Sequence, residues 1–388
     1  MTDIKTIVAV SKSIDALQAS KEIQQQLNHP DINFVLFYCS AAYQLDDLTI
    51  ALTQNLANID IVGCTTAGEI TPEGYKQQSI VAIGFSSKYF SISAKVIESM
   101  DKFCIVDAQT TINELTEQCY LKELASIKEN SFLLTLLDGL STKEEQFLQT
   151  LNYATGGIPH FGGSAGDDFN LAITHIFYQN KFYQQAAIVI LFNTKCPFEV
   201  FNCNHIKHPT EKLVITKADI DTRTVYELNA MPAAIEYAKL LNIDISDLTQ
   251  EVFSLHPLAV KVGGQYFIRS IQKVNIKDLS LTFYCAIDVG VVLTAVEMDD
   301  IFPSLSDKLA CITQRLGEPE LVLTCECFFR RIEIEQKSLH EQATELYAKY
   351  NIAGFNGYAE HTNGIHLNQT FAGVFIAQYT EKKGNVNE

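Results

Sequence analysis

Ile32-Asn33-Phe34-Val35-Leu36-Phe37-Tyr38-Cys39, then an amphipathic stretch over 46–57, then Ile59-Asp60-Ile61-Val62-Gly63-Cys64: this succession decides the fold class. Short apolar runs bounded by polar residues read as buried strands, and the stretch between them carries helical spacing. The alternation begins upstream, with a strand over 4–10 and a helix over 13–27 that opens on a capping residue. Such a βαβαβ start predicts parallel strands covered by helices. Downstream, 79–85 and 90–97 read as adjacent strands, followed by a helix over 108–127, a strand over 131–137 and a helix over 143–153. Short strands with tight turns fill 173–201. A boundary is expected near 205–225. Beyond it a helix over 232–241 carries proline in its first turn, where the missing N–H costs little. Strands over 265–274, 279–286 and 290–296, a helix over 304–316, a strand over 321–328 and a helix over 334–349 follow, and the polar tail 381–388 is expected to fray. The expected fold is mixed α/β (α+β): two closely packed domains, 1–220 and 221–380, of mainly β-sheet layers flanked by helices. No repeat of 20–50 residues is visible.

The totals narrow the function classes. Lys and Arg number 29 against 46 Asp and Glu, a net charge of −17, which disfavours duplex nucleic acid and anionic membrane surfaces as partners. No apolar run approaches the length of a membrane span, and the first residues lack the features of a signal peptide, so a cytoplasmic protein is expected. The ten cysteines form no CxxC pair, and most of them read as reduced, buried small hydrophobes.

Several segments carry candidate chemistry. Cys64, in Gly63-Cys64-Thr65-Thr66-Ala67-Gly68-Glu69, is a nucleophile or a core thiol at a strand exit. The glycine-rich 156–168, ending Gly162-Gly163-Ser164-Ala165-Gly166-Asp167-Asp168, fits neither a P-loop nor GxGxxG. Its acids cap backbone amides or line a pocket. Cys203-Asn204-His205-Ile206-Lys207-His208 offers soft metal ligands without a second pair. In Thr324-Cys325-Glu326-Cys327 the two thiols share one face of a strand, and Arg330 and Arg331 are placed to pair with Glu333 and Glu335. The closing segment, Gly354-Phe355-Asn356-Gly357-Tyr358-Ala359-Glu360-His361 and on to Thr370, forms a hairpin about Asn363-Gly364. Counting by twos puts His366, Asn368 and Thr370 on one face. His366 is an iron ligand or a satisfied core histidine, and His256, beside Pro257, is a second candidate.

These motifs together resemble the FIST family of signal-transduction proteins, a FIST N domain followed by a FIST C domain. The likeness rests on 62–70 and 161–168 in the first, and on His256-Pro257-Leu258, Phe267-Ile268-Arg269, 324–331 and 354–370 in the second. The Cys-Glu-Cys and double-arginine form looks closest to the NosP branch, haem-binding nitric-oxide sensors that act on a histidine kinase. The resemblance implies no catalysis, a b-type haem with His366 or His256 on the iron, and a histidine kinase as partner. It implies a small-ligand pocket drawn from Cys64, Gly163, Asp167, Arg269, Cys325, Tyr358, Glu360, Asn368 and Thr370. The sequence departs from the family at Tyr358-Ala359-Glu360-His361, where Tyr-Gly-Glu-Gln is usual. Two alternatives stand beside this reading: a sensor of another small ligand such as an amino acid, and a hydrolase or transferase using Cys64 or Cys325. The second predicts a histidine against one thiol and a depressed thiol pKa.

Overall fold

The computed structural model describes residues 4–380 apart from Phe169; the tail expected to fray lies outside the described residues. The fold is mixed α/β, and its larger body is one pattern laid down three times. The first unit runs β1 (Thr6–Ser11), α1 (Ala16–Gln26), β2 (Ile32–Ser40), α2 (Leu45–Asn55), β3 (Asp60–Thr66), a hairpin β4–β5 (Glu69–Thr71, Gly74–Lys76) and β6 (Ile80–Ser86). The second runs β7 (Phe90–Ile97), α3 (Ile105–Tyr120), β8 (Ser131–Leu137), α4 (Glu144–Ala154), β9 (His160–Ser164), a hairpin β10–β11 (Ile176–Tyr178, Lys181–Tyr183) and β12 (Ala187–Thr194).

The third unit opens with β13 (Phe198–Cys203) and is then interrupted. The inserted segment holds β14 (Ile206–Asp219), β15 (Thr224–Leu228), β16 (Met231–Pro232), α5 (Ala233–Leu241), α6 (Gln250–Leu255), β17 (Leu258–Val262), β18 (Gln265–Arg269), β19 (Ile271–Asn275), β20 (Ser280–Phe283) and β21 (Val292–Met298). These strands make an eight-stranded sheet of their own. The unit resumes with α7 (Ile301–Leu316), β22 (Pro319–Cys327), α8 (Phe328–Gln336), α9 (His340–Tyr350), β23 (Ile352–Gly357), a hairpin β24–β25 (Glu360–Thr362, Ile365–Leu367) and β26 (Phe371–Ala377).

Each unit builds a four-stranded core in the same order: β1-β6-β2-β3, β7-β12-β8-β9 and β13-β26-β22-β23. In each, only the last pair is parallel. The hairpins are exchanged in a cycle. β4–β5 extends the third unit's sheet at β23, β10–β11 extends the first at β3, and β24–β25 extends the second at β9. The inner faces of the three sheets share one apolar core, including Leu36, Cys64, Leu134, Phe161, Leu323 and Phe355. Helix pairs cover the outer faces, α1–α2, α3–α4 and α7–α9, over three separate apolar layers.

Where β3, β9 and β23 end, their backbones meet in a ring. The amide of Ala67 donates to Asn356 O (2.8 Å), that of Gly166 to Thr65 O (3.0 Å) and that of Tyr358 to Ser164 O (3.2 Å). These are corresponding residues of the three units, so Glu69, Asp168 and Glu360 also correspond. A Cβ on Gly166 would lie 2.6 Å from Ala67 N, which is why the ring needs glycine there. The residues entering β6, β12 and β26 correspond too. Gln78, Gln185 and Gln369 all adopt left-handed backbone, with φ of 50°, 52° and 51°.

Several expectations are corrected. β6 lies between β1 and β2, so the start is not a run of adjacent parallel strands. The helix expected over 334–349 is two, because Ser338 turns left-handed (φ 55°) between α8 and α9. The strand expected over 265–274 breaks at Ser270 into β18 and β19. Alternation in the closing hairpin ends at Gln369, whose positive φ cancels the count by twos. Residues 220–221 lie in the turn between β14 and β15, and strands from both sides of that point share two of the three sheets of the larger body.

Candidate functional site

The inserted sheet meets the larger body along a buried polar seam. Asn363 (φ 49°) and Gly364 (φ 80°) close the β24–β25 hairpin in the primed turn that suits right-twisted strands. This presents residues 366–370 to the insertion. Arg269 Nη1 donates to His366 O (3.3 Å), and Ser270 N donates to Asn368 Oδ1 (3.1 Å). Gln369 Nε2 donates to Phe253 O (3.3 Å).

Charge at the seam comes from α4. Arg223 of the insertion donates from Nη1 to Glu144 (3.2 Å) and from Nη2 to Glu145 (2.5 Å). His366 lies between the same two acids, its Nε2 3.5 Å from Glu144 and its Nδ1 3.4 Å from Glu145. Both distances suit an ion pair, but neither is aligned as a hydrogen bond. Burial works against the charge of Glu145, but His366 and Arg223 outweigh it and hold the carboxyl below its usual range. The Arg223 guanidinium is likewise raised, with Glu144 and Glu145 outweighing its burial. Ser164 donates to Glu144.

Deeper in, Asp167 accepts from the backbone amides of Leu171 (2.9 Å), Ala172 (2.8 Å) and Ile173 (2.8 Å), and from the Tyr358 hydroxyl. Burial, and then the Asp167 carboxylate, push the Tyr358 phenol up. Glu360 accepts from Thr370 N (2.5 Å) and sits fully buried, so burial raises its pKa well above the usual range. Its counterpart Glu69 accepts from Thr66 (2.6 Å) and Ser79 (2.5 Å), and burial raises it to about 7. Ser79 follows Glu69 by ten residues, as Thr370 follows Glu360. His361 is pushed well down by burial, with His160 and His366 adding to it, and bonds Thr135 across the bare backbone of Gly162.

The seam is short of partners. Ser270 Oγ, Tyr284 OH, Arg223 Nε, Asn368 Nδ2 and Gln369 Oε1 are buried with none. A buried polar atom left unpaired costs about 1–3 kcal/mol, so a partner able to reach these atoms would be favoured.

Of the residues expected to line a pocket, Arg269, Asp167, Tyr358, Glu360, Asn368 and Thr370 lie at the seam or directly beneath it. Cys64, Gly163 and Cys325 lie in the shared core, where a Cβ on Gly163 would be 2.8 Å from Cys325 Cβ. Burial pushes the Cys64 and Cys325 thiols well up, the reverse of what a nucleophile requires. His256, after α6, is exposed, and its carbonyl accepts from Tyr237 (2.6 Å). In 203–208 the imidazoles part: His205 bonds Glu333 (2.8 Å) and Arg330 (3.1 Å), while His208 pairs with Glu297 at the surface. Arg331 pairs with Glu335 as expected, but Arg330 turns back to Glu326 (2.8 Å). Among the described residues no cluster of three or more His, Cys, Asp or Glu is placed to hold a metal ion.

His366 as placed does not fit an iron ligand. Both its nitrogens face carboxylates, and its ring is almost fully enclosed. Glu144, Glu145 and Arg223 were not singled out from sequence. Adjacent acids in a helix's first turn read simply as partners of its dipole.

Residues 33–231 match the FIST N domain and residues 233–363 the FIST C domain. The chain belongs to the FIST family. FIST domains are ligand-binding sensor domains of signal transduction. An uncharacterised protein of Methanocaldococcus jannaschii is similar at 22% identity, over 87% of this FIST chain and 67% of that protein. Cyanuric acid hydrolase from A. caulinodans aligns at 9% identity over 50% of this chain and 72% of that one, with a TM-score of 0.28. That likeness is too slight to bear on fold or activity. Among the described residues no helix is long and apolar enough to cross a membrane.

Proposed function

We propose that this FIST protein senses a small ligand by changing how its inserted sheet seats on the larger body, and that a partner histidine kinase reads the change. The observation that carries this is the under-satisfied seam. Arg269, Ser270 and Arg223 hold the insertion to the hairpin and to α4, while five buried polar atoms around them go unpaired. A ligand that bonds those atoms in one seating and not the other shifts the balance between seatings by its difference in affinity.

Hydrogen exchange over β18–β19 and β24–β25 tests the coupling. Arg223→Gln weakens the bond to Glu144 and Glu145, so both segments should exchange faster, and regulation of kinase autophosphorylation should become independent of ligand. Unchanged exchange and unchanged regulation would sink the proposal. Haem, the ligand implied by the NosP resemblance, is tested by the absorption spectrum of protein prepared with haem. A Soret band lost in His256→Ala supports it; no uptake leaves the sensor with another small ligand.

A further inference from the structure

The insertion carries a groove of about 620 Å³ over β14, β17, β18 and β21, beside the seam. Lys212, Lys261 and Arg269 stand around it, and Val262, Val292 and Tyr266 supply apolar wall. Val262 is 58% exposed and Val292 43%, so apolar surface faces water there. No acid lines the groove, in a chain with 46 acids against 29 bases. Among the described residues no carboxylate pairs with any of the three cations. Every lysine or arginine buried at the seam or beneath α8, by contrast, has a carboxylate partner. Lys261 leans over the Tyr266 ring at 5.4 Å, which keeps its charge at the groove edge. Arg269 uses only Nη1 on protein carbonyls, leaving donors of its fork free.

We infer that this groove binds an amphiphilic anion, a carboxylate head on an apolar chain. The head sits against Arg269 and the lysines, and the chain lies along Val262, Val292 and Tyr266. The size is that of a small-ligand cavity. The uncompensated cations select the head, because a neutral head leaves them unpaired. The site deepens the sensor reading, on which it rests for its signalling role. Arg269 is both a wall of the groove and the donor to His366 O, so an anion here competes for a contact that holds the seam.

Calorimetric titration of the full chain with dodecanoate, against dodecanol and inorganic phosphate, tests the site. Dodecanoate should saturate at one per chain, dodecanol should bind at least tenfold more weakly, and phosphate should not bind. Arg269→Gln, and separately Lys212→Gln with Lys261→Gln at the surface, should each weaken dodecanoate at least fivefold. Equal affinity for dodecanol, affinities untouched in both variants, or sedimentation with anionic phospholipid vesicles in place of dodecanoate binding would each overturn the inference. Saturable dodecanoate binding that leaves hydrogen exchange of β24–β25 unchanged would keep the site and remove the seam as its transmitter.

Discussion

Glu69→Gln should abolish a pH dependence that the wild-type fold carries near neutrality. The carboxyl is fully buried among Thr66, Ser79 and the nearby Arg331, and burial moves its pKa from the ordinary 4.5 to about 7. Below 4.5 it is protonated in both folded and unfolded chains and costs nothing. As pH rises the unfolded chain releases its proton first, so stability falls until the folded carboxyl ionises near 7, and then levels off. A displacement from 4.5 to about 7 corresponds to about 3.4 kcal/mol in full. Between pH 5 and pH 8 the part recovered by a neutral amide is about 2.5 kcal/mol. The amide also disturbs the two hydroxyl bonds, but that offset does not change with pH. Urea unfolding of both proteins at pH 5, 6, 7 and 8 measures the difference directly. The gap in favour of Glu69→Gln should widen mainly between pH 5 and pH 7 and flatten by pH 8, and a constant gap refutes the reasoning.

Gly166→Ala should cost about 1–3 kcal/mol in urea unfolding, because its methyl meets the Ala67 backbone in the ring. Tyr358→Phe removes the hydroxyl donated to the Asp167 carboxylate and should cost about 1.5–3 kcal/mol by the same measurement. Native-state labelling with a thiol reagent should show Cys104 and Cys311 reacting first, with Cys64, Cys325 and Cys327 reacting only on unfolding. A fast Cys64 or Cys325 would revive the nucleophile.

The strands and helices were legible wherever an apolar run or amphipathic stretch stood alone. Residues 32–64 fold as their pattern says. What was not legible is what lies beside what. Nothing local in 79–85 announces that it separates β1 from β2, because sheet order is settled by pairing across long separations. The threefold repetition had left a trace: Gln77-Gln78-Ser79, Gln184-Gln185-Ala186 and Asn368-Gln369-Thr370 each precede an apolar strand. Their spacings, stretched by the insertion in the third unit, hide the period. At the site, Tyr358, Asp167, Glu360 and Asn368 were readable as polar residues in glycine-rich turns. Their setting was not, because Arg223 finds Glu144 and Glu145 only once the insertion folds back onto α4.

The exchange of hairpins has a consequence for synthesis. The first unit's hairpin, residues 69–76, pairs with a strand that begins at residue 352. The second unit's sheet is completed by residues 360–367. As the chain leaves the ribosome, its early portions therefore wait, with an unpaired edge and an unfilled core, until residues 352–367 are made. Long-range pairing of this kind is slow and leaves sticky edges open meanwhile. Cutting the gene between its two sequence domains would strand each fragment with a hairpin whose sheet is on the other piece. Supplying both fragments together should let them close the cycle on each other.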